Sequence, residues 1–431
     1  MKKQFSRVIK RCGLPGQRFI VTFGFQNFRM KVLFTFGGTT HYINRLLEIL
    51  TEKGIEVTAV IADGASAVLG QCVKLNENEK KYKVIHTPEV RNRRSGKPHF
   101  PALPKIVEQE KPDIVVFGWP YFLDIYFNKT LLKSIRKVGA KLIIREIPYQ
   151  VPPFKGSAAW FREHPVHDEN MKLLSRGLKF KINSTVLRYV RRYIYKRADG
   201  AINYHSSGPD IISTYGIPWE KIFVTLNSTD VEALWAHREA VEKAERILPE
   251  NKHRILHVGR LVNMKRFDLL FRATKTLAGR YPDIELLIIG EGPELENLKN
   301  QAEKDGIADR VRFVGAVYDS QKLHQYMYES SVYVLAGMGG LSINDAMACG
   351  LPAVVSPACD GTHVDLIKPG FNGFVFREGD AESLTDMLTA VFADEEKRRQ
   401  MGKHAYETIR DRINLDTVSD RFIKAFNAVL S

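Results

Sequence analysis

The chain has 431 residues, enough for two or three domains with real cores, and no apolar run approaches the ~20 residues a membrane-spanning helix needs. Its formal net charge of +15 favours anionic partners, and the excess is uneven: residues 1–250 hold 41 Lys and Arg against 24 Asp and Glu, residues 251–431 hold 23 against 25. The four cysteines, Cys12, Cys72, Cys349 and Cys359, lack CxxC spacing and read as free thiols of a reducing cytoplasm. No Asp-x-Asp occurs, so a carboxylate-held metal is unsupported and none is expected.

Residues 1–29 carry Lys2, Lys3, Arg7, Lys10, Arg11, Arg18 and Arg29 and no acid. The apolar pieces around Phe19–Phe25 are broken by Gly24 and precede no small-residue cleavage site, so a signal peptide is not expected. The segment reads either as a basic arm or as sequence ahead of a start at Met30. From Lys31 strands and helices alternate. The strand Lys31–Phe36 is followed by Gly37-Gly38-Thr39-Thr40 and a helix over Tyr42–Lys53, without the G-x-G-x-x-G of a dinucleotide fingerprint. Further strands are predicted at Asp113–Phe117, Lys141–Arg145 and Gly200–Tyr204. His164-x-x-His167-Asp168 reads as loop surface in preference to a metal clip.

Met171–Arg197 holds nine basic residues and no acid, with Leu178, Phe180, Tyr189 and Tyr193 among them. Gly177 and Asn183-Ser184 are weak helix formers, so the stretch need not be one continuous helix, and its surest helical part is Thr185–Arg197. A basic amphipathic helix with aromatics suits a membrane surface or another anion. Taken alone it reads rather as a solvated face packed on the sheet, but together with the basic arm and the charge asymmetry it favours an anionic membrane surface. No nucleic-acid motif appears. Val231–Lys252 reads as helix plus linker.

In the second half, Arg254–Val258 reads as a strand leading into Gly259–Arg266, then a helix with Phe267, Leu270, Phe271 and Leu277 on one face. Arg260 and Lys265 thus leave the carboxyl end of a strand, where open α/β sheets bind ligands. Arg forks onto two phosphate oxygens and Lys adds a point charge. Asp319 suits either a helix N-cap, which is favoured, or a contact to a nucleoside. A buried strand over Ser331–Leu335 precedes Gly337-Met338-Gly339-Gly340 and a helix over Ser342–Cys349 that Gly350-Leu351-Pro352 ends. Glycines at a helix start let N–H groups approach an anion, usually phosphate. Asp345, one turn in, is placed to accept hydrogen bonds from sugar hydroxyls. A plain tight strand-to-helix connection is the alternative. Arg260 and Lys265 in the same domain tip the reading toward a diphosphate site. A last helix spans Leu415–Leu430.

The order HVGRLVNMKRFDLL, LLIIGEGPELENL, VRFVGAV, GLSINDAMACGLPAVVS and KPGFNGFVF resembles the donor domain of retaining glycosyltransferase family 4. The match is ordered from Arg254 to Phe392 and weaker but continuous from Met30 to about Asp230. The resemblance implies an α/β chain of two Rossmann-like domains facing a cleft, the GT-B fold. Residues 30–235 would form the acceptor domain, 236–412 the nucleotide-sugar domain, and 413–431 a helix crossing back to the first. It implies that Arg260 and Lys265 hold the donor diphosphate. Gly340, Leu341 and Ser342 would line it with backbone N–H groups, Asp345 would hold the ribose, and the loop of Gly38 would close over the phosphates. Arg145-Glu146 ends a strand where many relatives carry a histidine near the reacting sugar. Either residue would be an acceptor ligand, with Glu146 as a candidate base, unless the pair forms a cap or an interdomain salt bridge. The family's paired glutamates, seven residues apart, fall here on Gly337 and Asp345, which leaves the transferred sugar unnamed.

The expectation is therefore a metal-independent, cytoplasmic glycosyltransferase on the inner face of the membrane. It would move a sugar from a nucleotide-sugar such as a UDP-sugar, with retention, to a glycan or lipid-linked acceptor in surface polysaccharide or lipopolysaccharide assembly. No cofactor is implied beyond the donor. The alternatives are a non-catalytic nucleotide-sugar-binding protein and an NAD-dependent oxidoreductase.

Overall fold

Short β-branched strands between amphipathic helices bury both of their faces, which favours parallel sheets covered on each side. The computed structural model describes residues 30–64, 66, 80–147, 151–168, 170–357, 361 and 363–431. The basic arm, Cys12, Cys72 and Cys359 lie outside them. The first sheet contains β1 (Lys31–Phe36), β2 (Glu56–Ala62), β3 (Lys83–Thr87), β4 (Ile114–Gly118), β5 (Lys141–Arg145), β6 (Gly200–Asn203) and β7 (Ile222–Val224). Its order is β3-β2-β1-β4-β5-β6-β7, all parallel. The second contains β8 (Arg254–Val258), β9 (Glu285–Ile289), β10 (Val311–Gly315), β11 (Val332–Leu335), β12 (Ala353–Val355) and β13 (Gly373–Val375), ordered β10-β9-β8-β11-β12-β13 and again parallel.

In each sheet the order reverses beside the first strand. Such a switch point leaves a crevice at the carboxyl ends of the central strands. The first crevice receives Gly37–Thr40 and helix α1 (His41–Glu52). The second receives two loops. One runs from β8 to the helix Phe267–Ala278, the other from β11 to the seven-residue helix Ser342–Ala348.

The chain enters the second layer near Asn227. Asn344 donates to Asn227 O at 3.3 Å, and the Trp235 indole, in helix Val231–Trp235, donates to Ala348 O at 2.9 Å. It returns in helix Leu415–Leu430, which a capping box at Asn414 and Thr417 starts. Phe426 meets Phe34 of β1 at 6.2 Å between ring centres, and Lys53 bridges Asp416 and Asp420 at 2.6 Å.

The basic stretch is helical beyond the part that the sequence marks most clearly. One helix, α2, runs unbroken over Gly177–Tyr195. Its first turns gain what propensity omits: Phe180 packs edge-on against Phe161 at 4.9 Å, and Ser184 Oγ bonds the Lys181 carbonyl. Tertiary contacts thus outweigh the cost of the exposed Asn183. Among the described residues no helix is long and apolar enough to cross a membrane.

Candidate functional site

The loop after β8 is built by backbone packing. Gly259 and Leu261 donate to Ile289 O and Glu291 O, both at 2.9 Å. Gly290 and Gly292 permit this approach, because a Cβ there would lie 1.9 Å from Gly259 O and 2.3 Å from Leu261 O. A 3₁₀ turn over Asn263–Lys265 then buries the Lys265 side chain. Its ammonium donates to Met338 O at 2.8 Å and also to Gly339 O. Arg260 lies partly buried in the same loop.

The glycine run is held against that loop. Met338 N–H donates to Met264 O at 2.8 Å, and a Cβ on Gly337 would come 2.1 Å from the same carbonyl. Backbone occupies the space where a side chain at 337 would begin, so this backbone arrangement excludes a glutamate there. Ser342 Oγ accepts from the Tyr333 hydroxyl at 2.8 Å and donates to Val258 O at 2.7 Å, tying the helix start to β8 and β11. Below them His257 is fully buried with Nδ1 on Val334 O at 2.9 Å; burial pushes its pKa down to about 4 and keeps it neutral. The N–H groups of Leu341 and Ser342 open this helix, where intrahelical acceptors are lacking.

Asp345 faces the cleft. Its Oδ1 accepts from Thr229 Oγ1 at 2.5 Å. Burial, with a smaller push from the Asp230 charge, raises its carboxyl to about 7, while the Thr229 hydrogen bond and His41 oppose the rise. Asp230 lies 3.6 Å from His41 Nε2 at the start of α1, and that partner raises the imidazole's pKa. A polar chain of His41, Asp230, Thr229 and Asp345 therefore spans the cleft. Gly38 lies three residues before His41. Its neighbour Gly37 is the tightly fitted one, with room only for hydrogen beside Ser66 Oγ.

Two other site residues are engaged elsewhere. Asp319 caps the helix Ser320–Tyr328, accepting from Lys322 N–H at 2.7 Å. Glu146 is buried in an ion pair within the first layer, not between domains. Its Oε1 accepts from Arg191 Nε at 2.9 Å and Nη2 at 2.7 Å, and its Oε2 accepts from the Tyr195 hydroxyl at 2.7 Å. A carboxylate bonded at both oxygens is a fixed anchor; to act as a base it would have to give up one of these donors. Arg145 is buried with its guanidinium 4.9 Å from the Tyr204 ring.

Beside the Glu146–Arg191 pair a cavity of 720 Å³ reaches from Trp119 and α2 to Met338 of the glycine loop. A smaller one of 110 Å³ lies between His164–Asp168 and Met264, Arg266 and Gly337. His164 stacks on Trp160 at 4.6 Å, Asp168 accepts N–H groups of Asn170 and Lys172, and no cluster of metal-type ligands exists among the described residues. Sequence reasoning missed His41, Thr229, Asp230 and Trp119. His41 alone left a trace, as the polar residue directly after the Gly-Gly-Thr-Thr loop; the others follow strand ends whose partners lie far along the chain.

Two doubly wound parallel sheets joined by a short crossing and a returning terminal helix, with a glycine-lined cleft between, define a GT-B-type fold. The chain shares that fold with the Anabaena HepE structure in complex with UDP, at TM-score 0.64 and 16% identity over 93% of this chain and 99% of that one. Residues 239–408 match the family of glycosyl transferases group 1. An uncharacterized glycosyltransferase of Haemophilus influenzae is 35% identical over 164 residues, 36% of this chain and 45% of that protein. The lipopolysaccharide core biosynthesis glycosyltransferase LpsE of Rhizobium meliloti is 28% identical over 188 residues, 43% and 53% respectively. The chain thus spans about half the length of these relatives.

Proposed function

We propose that the protein is a retaining glycosyltransferase using a nucleotide-diphosphate sugar, with UDP-sugars the first class to test. Its acceptor is a glycan or lipid-linked glycan of surface polysaccharide or lipopolysaccharide assembly, met at the inner face of the membrane. One observation carries the reading: Lys265, the Gly337–Gly340 loop and Asp345 meet at the second switch point, opposite Gly38 and His41. The matched family, the role named for LpsE and the UDP of the Anabaena neighbour support it.

In this mechanism Arg260 and Lys265 take up the charge of the departing diphosphate, joined by the N–H groups of Leu341 and Ser342. Asp345 accepts from the ribose. Gly38 lets the opposite loop close on the phosphates. The Glu146–Arg191 pair positions the acceptor, and the leaving diphosphate takes the acceptor proton, so neither a metal nor a cofactor is required. Calorimetry with UDP, GDP and ADP tests the site. Release of nucleoside diphosphate that rises on adding lipid-linked acceptor tests the reaction. Tight UDP binding without acceptor-dependent release would favour a non-catalytic binding protein, the reading Gly337 suggests.

A further inference from the structure

Under α2, apart from the proposed nucleotide crevice, lies the cavity of 720 Å³. Its volume falls in the ~300–1,000 Å³ range of small-molecule sites. Leu123, Phe127, Val151, Phe180, Leu187 and Val190 give it apolar walls. Its rim is cationic: Arg94 and Lys97 are exposed, and Lys97 Nζ lies 5.6 Å from the Trp119 ring. Glu146 is the one acid among the lining residues, and Arg191 neutralises it.

An apolar stripe on the surface adjoins the cavity. Leu178, Ile182, Val186 and Tyr189 follow one another at helical spacing on the outer face of α2, and Leu178 and Tyr189 are 73% and 62% exposed. Val186 belongs both to this stripe and to the cavity wall. Met338, whose carbonyl holds Lys265, borders the same cavity.

We propose that this cavity binds the hydrocarbon chain of an anionic, phosphate-bearing amphiphile, which is the acceptor. Its chain lies along the walls under α2 and its head group rests at Arg94, Lys97 and Trp119, beside the donor loop. The proposal rests on the transferase reading for the word acceptor; the binding site itself stands on the geometry of the cavity.

Calorimetry on the full chain tests it with dodecyl phosphate below its micelle concentration, against decyl phosphate, dodecyl maltoside and inorganic phosphate. Dodecyl phosphate should bind, and decyl phosphate should bind roughly tenfold more weakly for its two missing methylenes. The maltoside and inorganic phosphate should bind far more weakly still. Arg94→Gln with Lys97→Gln, both on the surface, should cost about tenfold or more. Leu187→Trp should fill the cavity and abolish binding, whereas Ile182→Ser on the outer stripe should leave it unchanged. Indifference to chain length and to Leu187→Trp, equal binding of inorganic phosphate, or loss on Ile182→Ser alone would each overturn the assignment; the last outcome would mean adsorption on the helix surface. UDP affinity should be unchanged in every variant. Absence of UDP binding in the unaltered protein would sink the transferase reading and leave the cavity result standing.

Discussion

Lys265 donates to two carbonyls of the glycine run, and in the proposed site a bound diphosphate would compete for the same ammonium. Lys265→Ala should weaken UDP binding by ~1.5–3 kcal/mol, roughly ten- to a hundredfold. Calorimetry measures this, and unchanged affinity would reject the role. Asp345 makes a pH prediction. Its folded pKa of about 7 stands above its ordinary 3.8, so the fold favours the neutral acid and loses stability as pH rises through that window. Asp345→Asn removes this loss, and its melting temperature should gain more over the unaltered protein at pH 8 than at pH 5. The ribose of the proposed site, in contrast, would need the carboxylate as acceptor. UDP-glucose affinity should therefore rise between pH 6 and 8 and flatten in Asp345→Asn. UDP-glucose suits the test because its phosphates do not titrate there.

At the scale of elements, Gly337 shows why the loops read as they do. A carboxylate cannot be introduced there by substitution alone, since its Cβ would enter the Met264 carbonyl. Gly337→Glu should cost about 1–3 kcal/mol of stability by overpacking, read as a lower urea midpoint, and should not increase activity. The strands β1, β5 and β8 were legible from their apolar runs, as were the glycine punctuation and the last helix. The weak residues of α2 left its continuity open in the sequence, because Phe161, which steadies Phe180, lies 19 residues earlier. The role of Glu146 was illegible for a similar reason: its partners Arg191 and Tyr195 are distant in sequence and meet it only through packing. Asp319 was legible as a cap, since capping is a local pattern.

At the scale of the molecule, α2 and the residues just before it carry the densest run of cations among the described residues. The cations there are not equivalent. Arg191 is buried against Glu146, whereas Lys172, Arg176, Lys179 and Lys181 are exposed. Replacing these four by Gln should weaken binding to anionic vesicles by up to ~1 kcal/mol per cation and leave UDP affinity unchanged. Salt should act likewise as the Debye length falls from ~10 Å at 0.1 M to ~3 Å at 1 M. Co-sedimentation with anionic and neutral vesicles checks both, and equal binding to the two would remove the membrane role.

The terminal helix Leu415–Leu430 completes the core of the layer that begins with Lys31, through Phe426 on Phe34 and Val429 against Gly200. Domains usually fold as they leave the ribosome, the N-terminal one first. Here the first sheet is synthesised long before the helix that covers it. Until residues 415–430 emerge, Phe34 and its neighbours lack that cover, so the growing chain carries an open apolar face through the whole translation of its second half. The layer that is made first is finished last.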